Sequence, residues 1–261
     1  MNIQNIQLIS DIHLEFYKGS EVKEVLNRLL TSAEVLILAG DIHVGRSNVA
    51  DVLKYVSKRY EIVIFVPGNH EYYNGAEIGS FKQMEVPNNV FVLDNADMLY
   101  KDIHFIGSTL WSSLGREVPN MYHRTRASVS HWPDFKRIKD NSLDKHIARY
   151  DECVEFIYKR LNDKELASFN KKFVITHFLP SIKCVNAKWF MDPQTRSNNF
   201  YFASDALNID RIPKDANVVW GFGHTHDAFS GYVDGVNMYC NPVGYPNELL
   251  CNPYQPLVIH V

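Results

Sequence analysis

Four stretches of this chain are mostly apolar yet too short for buried helices, and each is followed within three residues by side chains of types that can ligate metals. They are Glu34–Ala39 (EVLILA), Glu61–Val66 (EIVIFV), Lys172–Thr176 (KFVIT) and Asn217–Phe222 (NVVWGF). Runs of this length with β-branched and aromatic residues read as strands covered on both faces. Ile3–Ile9 adds an alternating strand before them. Between the strands the apolar period changes. Val22, Val25, Leu26, Leu29 and Leu30 form one helical stripe within 20–30, and Val49, Val52, Leu53 and Val56 form another. Short strands are expected at 89–93, 102–107 and 256–261, with an Asp234-Gly235 hairpin. A long helix begins near Leu143, with Ile147, Tyr150, Val154, Ile157 and Leu161 inward. The pattern predicts an α/β fold with a two-layered β core flanked by helices.

The chain has 261 residues, 46% of them hydrophobic, enough for a sizeable core in one domain over 1–261. Two segments break the periodicity and read as insertions near 111–142 and 181–215. Six Lys/Arg face three acids between Trp111 and Asn141, while the whole chain carries −3, so any basic site must be local. The stretch reads as a solvated surface excursion, with a seat for substrate phosphate as the other reading. The second segment is aromatic (Trp189, Phe190, Phe200, Tyr201, Phe202) and reads as a functional rim or a loop packed on its own domain. Cys153, Cys184, Cys240 and Cys251 lie far apart without a C-x-x-C pair, so reduced thiols are expected. The opening residues lack a basic, apolar leader, and no run of 18 apolar residues occurs. A cytoplasmic location and no membrane partner are the corresponding expectations. The acidic balance argues against nucleic acid as a partner, and the oligomeric state is not legible.

The residues that follow the strands carry the functional argument. They occur as S-D-I-H (10–13), G-D (40–41), G-N-H-E (68–71), T-H (176–177) and G-H-T-H (223–226). In open α/β sheets ligands gather beyond the carboxyl ends of strands, so these segments are expected to converge at one crevice. Residues i and i+2 of an extended segment point the same way, so Asp11 with His13, and His224 with His226, can each offer two ligands. Singly, Asp11 or Asp41 could be a helix cap, Asn69 a turn former and His70 a buried structural histidine. Caps alone do not call for histidines at matching strand ends. His104 and His260, inside strands, read as structural.

In these ordered motifs, across residues 10–226, the chain resembles the calcineurin-like metallophosphoesterase superfamily. G-S-T-L-W (107–111) and N-P-V-G-Y-P (241–246) are similar to its small bacterial and phage phosphohydrolases. The resemblance implies a four-layer α/β/β/α sandwich and two divalent metal ions. Asp11, His13 and His226 would hold one metal, Asn69, His177 and His224 the other, and Asp41 would bridge both. His70 would be the catalytic non-ligand histidine, with Glu71 an outer support. The implied reaction is hydrolysis of phosphomonoesters or phosphodiesters by in-line attack of a metal-bridging hydroxide. Two divalent cations, less two carboxylates and that hydroxide, leave a residual positive charge suited to a phosphate ester. Oxygen and imidazole ligands without thiolate suit Mn, Fe or Zn. The expected substrate is a small phosphorylated molecule, with nucleotides included. The chain departs from the family at Ile42-His43-Val44, and His43 receives no role. The opposing reading is a catalytically silent binding scaffold on the same fold. An amide hydrolase built on the H-x-H pair fits the N-terminal D-x-H and the Asn ligand less well.

Overall fold

The computed structural model describes residues 5–169, 171–249 and 253–260. Strands and helices first alternate: β1 (Asn5–Ile9), α1 (Glu21–Leu29), β2 (Val35–Ala39), α2 (Arg46–Val56) and β3 (Ile62–Val66). Next come β4 (Val90–Val92), β5 (Ala96–Tyr100), β6 (Ile103–Ser108), α3 (Pro119–Val129), α4 (Asp134–Arg137) and α5 (Leu143–Leu161). The remainder is β7 (Lys171–Thr176), α6 (Asn199–Phe202), β8 (Asn217–Phe222), β9 (Phe229–Val233), β10 (Val236–Cys240) and β11 (Leu257–His260).

Two mixed sheets result, ordered β11-β1-β2-β3-β4 and β5-β6-β7-β8-β10-β9. β1 to β4 run parallel with β11 antiparallel at the edge, while β6, β7, β8 and β10 run parallel with antiparallel β5 and β9 outside. The strand period explains why the runs are apolar on both faces. Ile6, Leu8, Val35, Ile37, Ile62 and Ile64 meet Ile103, Phe105, Phe173 and Ile175 between the sheets. The alternate residues Leu36, Leu38, Val63 and Phe65 share the outer core with Leu26, Leu29, Val49 and Leu53 of the helices. The expected α/β/β/α layering is therefore present. Full burial of such a side chain stabilises by about 1.5–3 kcal/mol, which accounts for the absence of polar residues in β2 and β3.

The expected strands and helices are found with small shifts of boundary, and the Asp234-Gly235 turn has positive φ at both residues, as a type I′ hairpin needs. Ile3 and Val261, assigned to terminal strands, lie outside the described residues, as does Cys251. Cys153, Cys184 and Cys240 are buried free thiols. No helix among the described residues is long and apolar enough to cross a membrane.

The basic segment is not simply a surface excursion. It holds α3 and α4 and buries Trp111, Leu114, Thr125, Val129 and Asp134. Its weak hydrophobic periodicity has a physical cause, because α3 buries only Thr125 and Val129. Cations of the segment pair at the surface, Arg116 with Asp151, Arg126 with Asp144 and Lys139 with Glu77.

His146 on α5 is enclosed by Trp111, Phe135, Phe178 and Tyr201. Its Nε2 accepts from the Ser112 backbone N–H at 3.2 Å, and its Nδ1 is buried without a partner. Burial pushes its pKa down to about 3, so the folded protein holds it neutral. The unfolded chain binds this proton first. Its contribution to stability is thus complete above about pH 6.5 and is lost as pH falls from there toward 3. His146→Phe should flatten the acid limb of melting temperature against pH by one proton, about 1.4 kcal/mol per pH unit within that window. An unchanged slope would remove His146 from the acid response.

Candidate dinuclear metal centre

All five chemistry-bearing turns leave their strands at the same end of the sandwich. Asp11 and His13 follow β1, Asp41 follows β2, Asn69, His70 and Glu71 follow β3, His177 follows β7, and His224 and His226 follow β8. Backbone hydrogen bonds bind the turns together: Asp11 N–H to Gly40 C=O (3.0 Å), His13 N–H to Asp41 C=O (2.9 Å) and Gly223 N–H to His177 C=O (2.9 Å). Ser10 further bridges Pro242, tying the first sheet to the second beside the site. Asp11, His13, Asp41, His224 and His226 all have positive φ, between 50° and 69°. Non-glycine residues rarely adopt this conformation, and it concentrates where the surroundings force it. Here it turns side chains inward immediately after extended backbone.

The inward groups form three overlapping clusters: Asp11, His13 and His226; His13, Asp41 and His70; and Asp41, His177 and His224. Asp41 is common to two of them. Its Oδ2 lies 3.4 Å from His177 Nε2, 3.9 Å from His13 Nε2 and 4.0 Å from His70 Nε2, while its Oδ1 accepts the His70 backbone N–H at 2.9 Å. Asn69 Oδ1 is 3.0 Å from His177 Nε2. Asp11 accepts the His224 backbone N–H at 2.9 Å. The structure thus brings together all seven residues expected as ligands, and His70 beside them.

Proton positions follow from the outer partners. His177 Nδ1 donates to the Ala39 carbonyl (2.9 Å), His13 Nδ1 to Glu15 (3.0 Å) and His226 Nδ1 to Glu248 (2.7 Å). With each Nδ1 carrying the proton, the Nε2 lone pairs turn inward. His13 Nε2 and His226 Nε2 then face each other at 3.0 Å, and His177 Nε2 faces two oxygens that can only accept. His224 Nε2 is buried with no hydrogen-bond partner. Lone pairs and carboxylates gathered with so few donors favour cations between them, and the ligand set fits divalent metals.

In the metal-free protein, protons must fill this role. Burial opposes charge on His177, yet the Asp41 carboxylate overrides it and lifts the imidazole to about 10. The same balance, with Asp41 and Glu15 as the anions, raises His70 to about 9. Burial would raise Asp41, but His177, His70 and His13 hold it well below the usual carboxylate range. Metal binding should therefore release protons.

Several supporting residues were not anticipated from the sequence. Glu15 Oε1 accepts from both His13 Nδ1 and His70 Nδ1 (2.9 Å), and its only sequence signal is its place two residues after His13. Glu248 holds His226, and Asp134 of the basic segment accepts from Asn69 Nδ2 (2.9 Å), Tyr73 (2.6 Å) and Tyr201 (2.6 Å). No local pattern links these acids to ligands so far away in the chain. Glu71, the expected outer support, takes backbone N–H groups of Asp41, Ile42, His43 and Gly68, locking the G-D turn onto the G-N-H-E turn. His43 Nδ1 accepts from the Val44 N–H and stays out of the cluster. Tyr72 bonds Asp94 in the core, and Tyr73 stacks 4.4 Å from His70. His104 is buried against Asp97.

A layered sandwich with such an end defines a class, the metal-dependent phosphoesterases. The family model for calcineurin-like phosphoesterases matches residues 5–228, and the chain belongs to that family. A curated relative is protein L509 of Acanthamoeba polyphaga mimivirus, 28% identical over 276 residues, covering 95% of this chain and 94% of that one. Among solved structures, the phosphopantetheinyl hydrolase PptH of Mycobacterium tuberculosis matches with TM-score 0.76 at 18% identity, over 99% of this chain and 96% of its own. A dimetal phosphatase from Danio rerio matches with TM-score 0.55 at 13% identity, over 100% and 93%. At these identities the structural likeness is one of fold.

Gly68 lets the turns close. A Cβ there would collide with Asp41 Oδ1 and stand 2.8 Å from His177 Nε2. Gly68→Ala should cost about 1–3 kcal/mol by overpacking and weaken metal binding with it. Calorimetric titration of zinc or manganese into both proteins checks this, and wild-type affinity in the variant would show that the turn has slack.

Proposed function

We propose that this chain is a dinuclear metal-dependent hydrolase of phosphomonoesters or phosphodiesters, working as one domain. The observation that supports it most is the set of inward imidazole lone pairs facing one another and the Asp11 and Asp41 carboxylates, which take only a backbone N–H each, from His224 and His70, among the described residues. Asp11, His13 and His226 would hold one cation, Asn69, His177 and His224 the other, with Asp41 touching both. Manganese, iron and zinc suit this donor set. Two such cations would supply Lewis acidity toward phosphoryl oxygens and would lower the pKa of a bound water toward neutral pH.

The protein's own groups do the rest. A crevice of about 480 Å³, lined by Asp41, His70, His224, His226 and Tyr245, opens over the cluster and suits a small phosphorylated molecule. His70 is anchored through Nδ1 by Glu15, so its ring can hold a phosphoryl oxygen or, when protonated, give a proton to the leaving alcohol. Tyr245 packs 4.5 Å from the His13 ring and 4.6 Å from that of His226, limiting water at the ligands.

Asp41→Asn and His224→Ala should each lose bound metal and activity together, read by elemental analysis and by hydrolysis of p-nitrophenyl phosphate and bis-p-nitrophenyl phosphate with added Mn²⁺. Full metal and full turnover in both variants would overturn the ligand assignment. Intact metal with no cleavage of any ester by the wild type would favour the silent scaffold. His70→Ala should keep its metals while turning over about 10²–10⁴-fold more slowly. Glu15→Gln should fall between it and the wild type, since only the His70 and His13 anchor is weakened. An unaltered rate for His70→Ala would take that residue out of the reaction.

A further inference from the structure

The two inserted segments, which the motifs leave without a role, meet on one side chain. Asp134 of α4 is 1% exposed, and its carboxylate takes three donors. Asn69 Nδ2 (2.9 Å) and the Tyr73 hydroxyl (2.6 Å) reach Oδ1, and the Tyr201 hydroxyl (2.6 Å) reaches Oδ2. Asn69 and Tyr73 belong to the turn after β3, and Tyr201 to α6 of the aromatic segment. Asn141 Nδ2 donates to the Asp134 carbonyl (3.1 Å) and fixes its backbone. Withdrawing a carboxylate from water is costly unless donors meet it, so the groups that do meet this one define what it is placed to hold.

One of them is an amide whose two ends are chemically opposite. The carboxamide of Asn is nearly symmetrical in shape, with an acceptor oxygen on one side and two N–H donors on the other. Only the oxygen can ligate a cation. Asp134 Oδ1 already receives a hydroxyl, and turning the Asn69 oxygen toward it would set two acceptors 2.9 Å apart. The Nδ2 group therefore faces Asp134, with its second proton toward the Tyr73 hydroxyl at 3.5 Å. Asn69 Oδ1 is left on the opposite side, 3.0 Å from His177 Nε2 and among the inward groups. Turned about, the same side chain would aim two protons into the cation seat.

We propose that Asp134 is a positioning residue of the metal centre: by accepting from Nδ2 it obliges Asn69 to present its oxygen to the cation shared with His177 and His224. The basic segment thereby completes the second cation seat from outside it. The inference rests on the dinuclear reading for the ligand role of Asn69.

Calorimetric titration of zinc into chelator-stripped protein tests it without turnover, and the wild type should take up two cations. Asp134→Asn keeps the shape but lets residue 134 meet Asn69 with oxygen or with nitrogen, so the amide is no longer forced one way. One cation should then bind about 10–100-fold more weakly, the usual effect of losing such an outer partner, and the other as in the wild type. The titration should match that of Asn69→Ala. Tyr201→Phe takes a hydroxyl from the same carboxylate without touching Asn69, and should load both cations normally. Exchanging the pair, Asn69→Asp with Asp134→Asn, puts an acceptor-only group at 69 and an amino group at 134 to hold it. The exchange should recover most of the loss, which a merely structural role for Asp134 does not predict. In zinc-loaded wild type, NMR should show the Asn69 side-chain amide protons, assigned by their absence from Asn69→Asp, protected from exchange with water. This measurement and the exchange variant decide the matter if Asp134→Asn does not fold.

Wild-type affinity for both cations in Asp134→Asn, equal weakening of both, or the same loss in Tyr201→Phe would overturn the role. So would an exchange variant that binds no better than Asn69→Ala, or rapid exchange of the Asn69 amide protons. A wild type that holds fewer than two cations would overturn the dinuclear reading, and the inference with it.

Discussion

Everything at the active end of this molecule depends on lone pairs being made to face one another. An imidazole is indifferent about which nitrogen carries its proton until a partner decides, and here the partners lie outside the cluster. The Ala39 carbonyl, Glu15 and Glu248 each take an Nδ1 proton, and the opposite nitrogens are left to meet in the centre. Such an arrangement is repulsive unless positive charge enters it. The metal-free protein meets the demand with protons on His177 and His70, held there by a buried Asp41.

Holding that arrangement falls to the sheets. Two fully buried central strands fix where the turns begin, and positive φ at Asp11, His13, Asp41, His224 and His226 aims the side chains across the strand ends. Glycine at 68 and 223 leaves no bulk between turns that nearly touch; a Cβ on Gly223 would stand 2.8 Å from the Ala39 carbonyl and 2.9 Å from Asp11 Oδ2. Glu71 then ties two turns together with four backbone hydrogen bonds. Strained backbone persists because so many neighbours define its place.

What could be read from the sequence was whatever has a short period or a fixed order. The buried runs gave away β2, β3, β7 and β8, and the motifs after them named the residues that converge. β5 escaped, because Ala96–Tyr100 is an edge strand with one exposed side and no apolar run. α3 escaped because a helix lying on other helical turns buries too little to print a stripe. Glu15, Asp134 and Glu248 escaped for another reason: an acid that steadies a ligand needs only to be near it in space. Asp134 reaches Asn69 from 65 residues away. The aromatic segment held both of its readings at once, with Tyr201 buried against its own domain and Trp189 lining the crevice.

The pairing of His13 with His226, itself held by Glu248, joins residues 213 positions apart. Closing so long a loop costs chain entropy that two side chains could not offset alone. The two sheets meet that cost first, so the cluster assembles as a by-product of their stacking rather than as a cause of it.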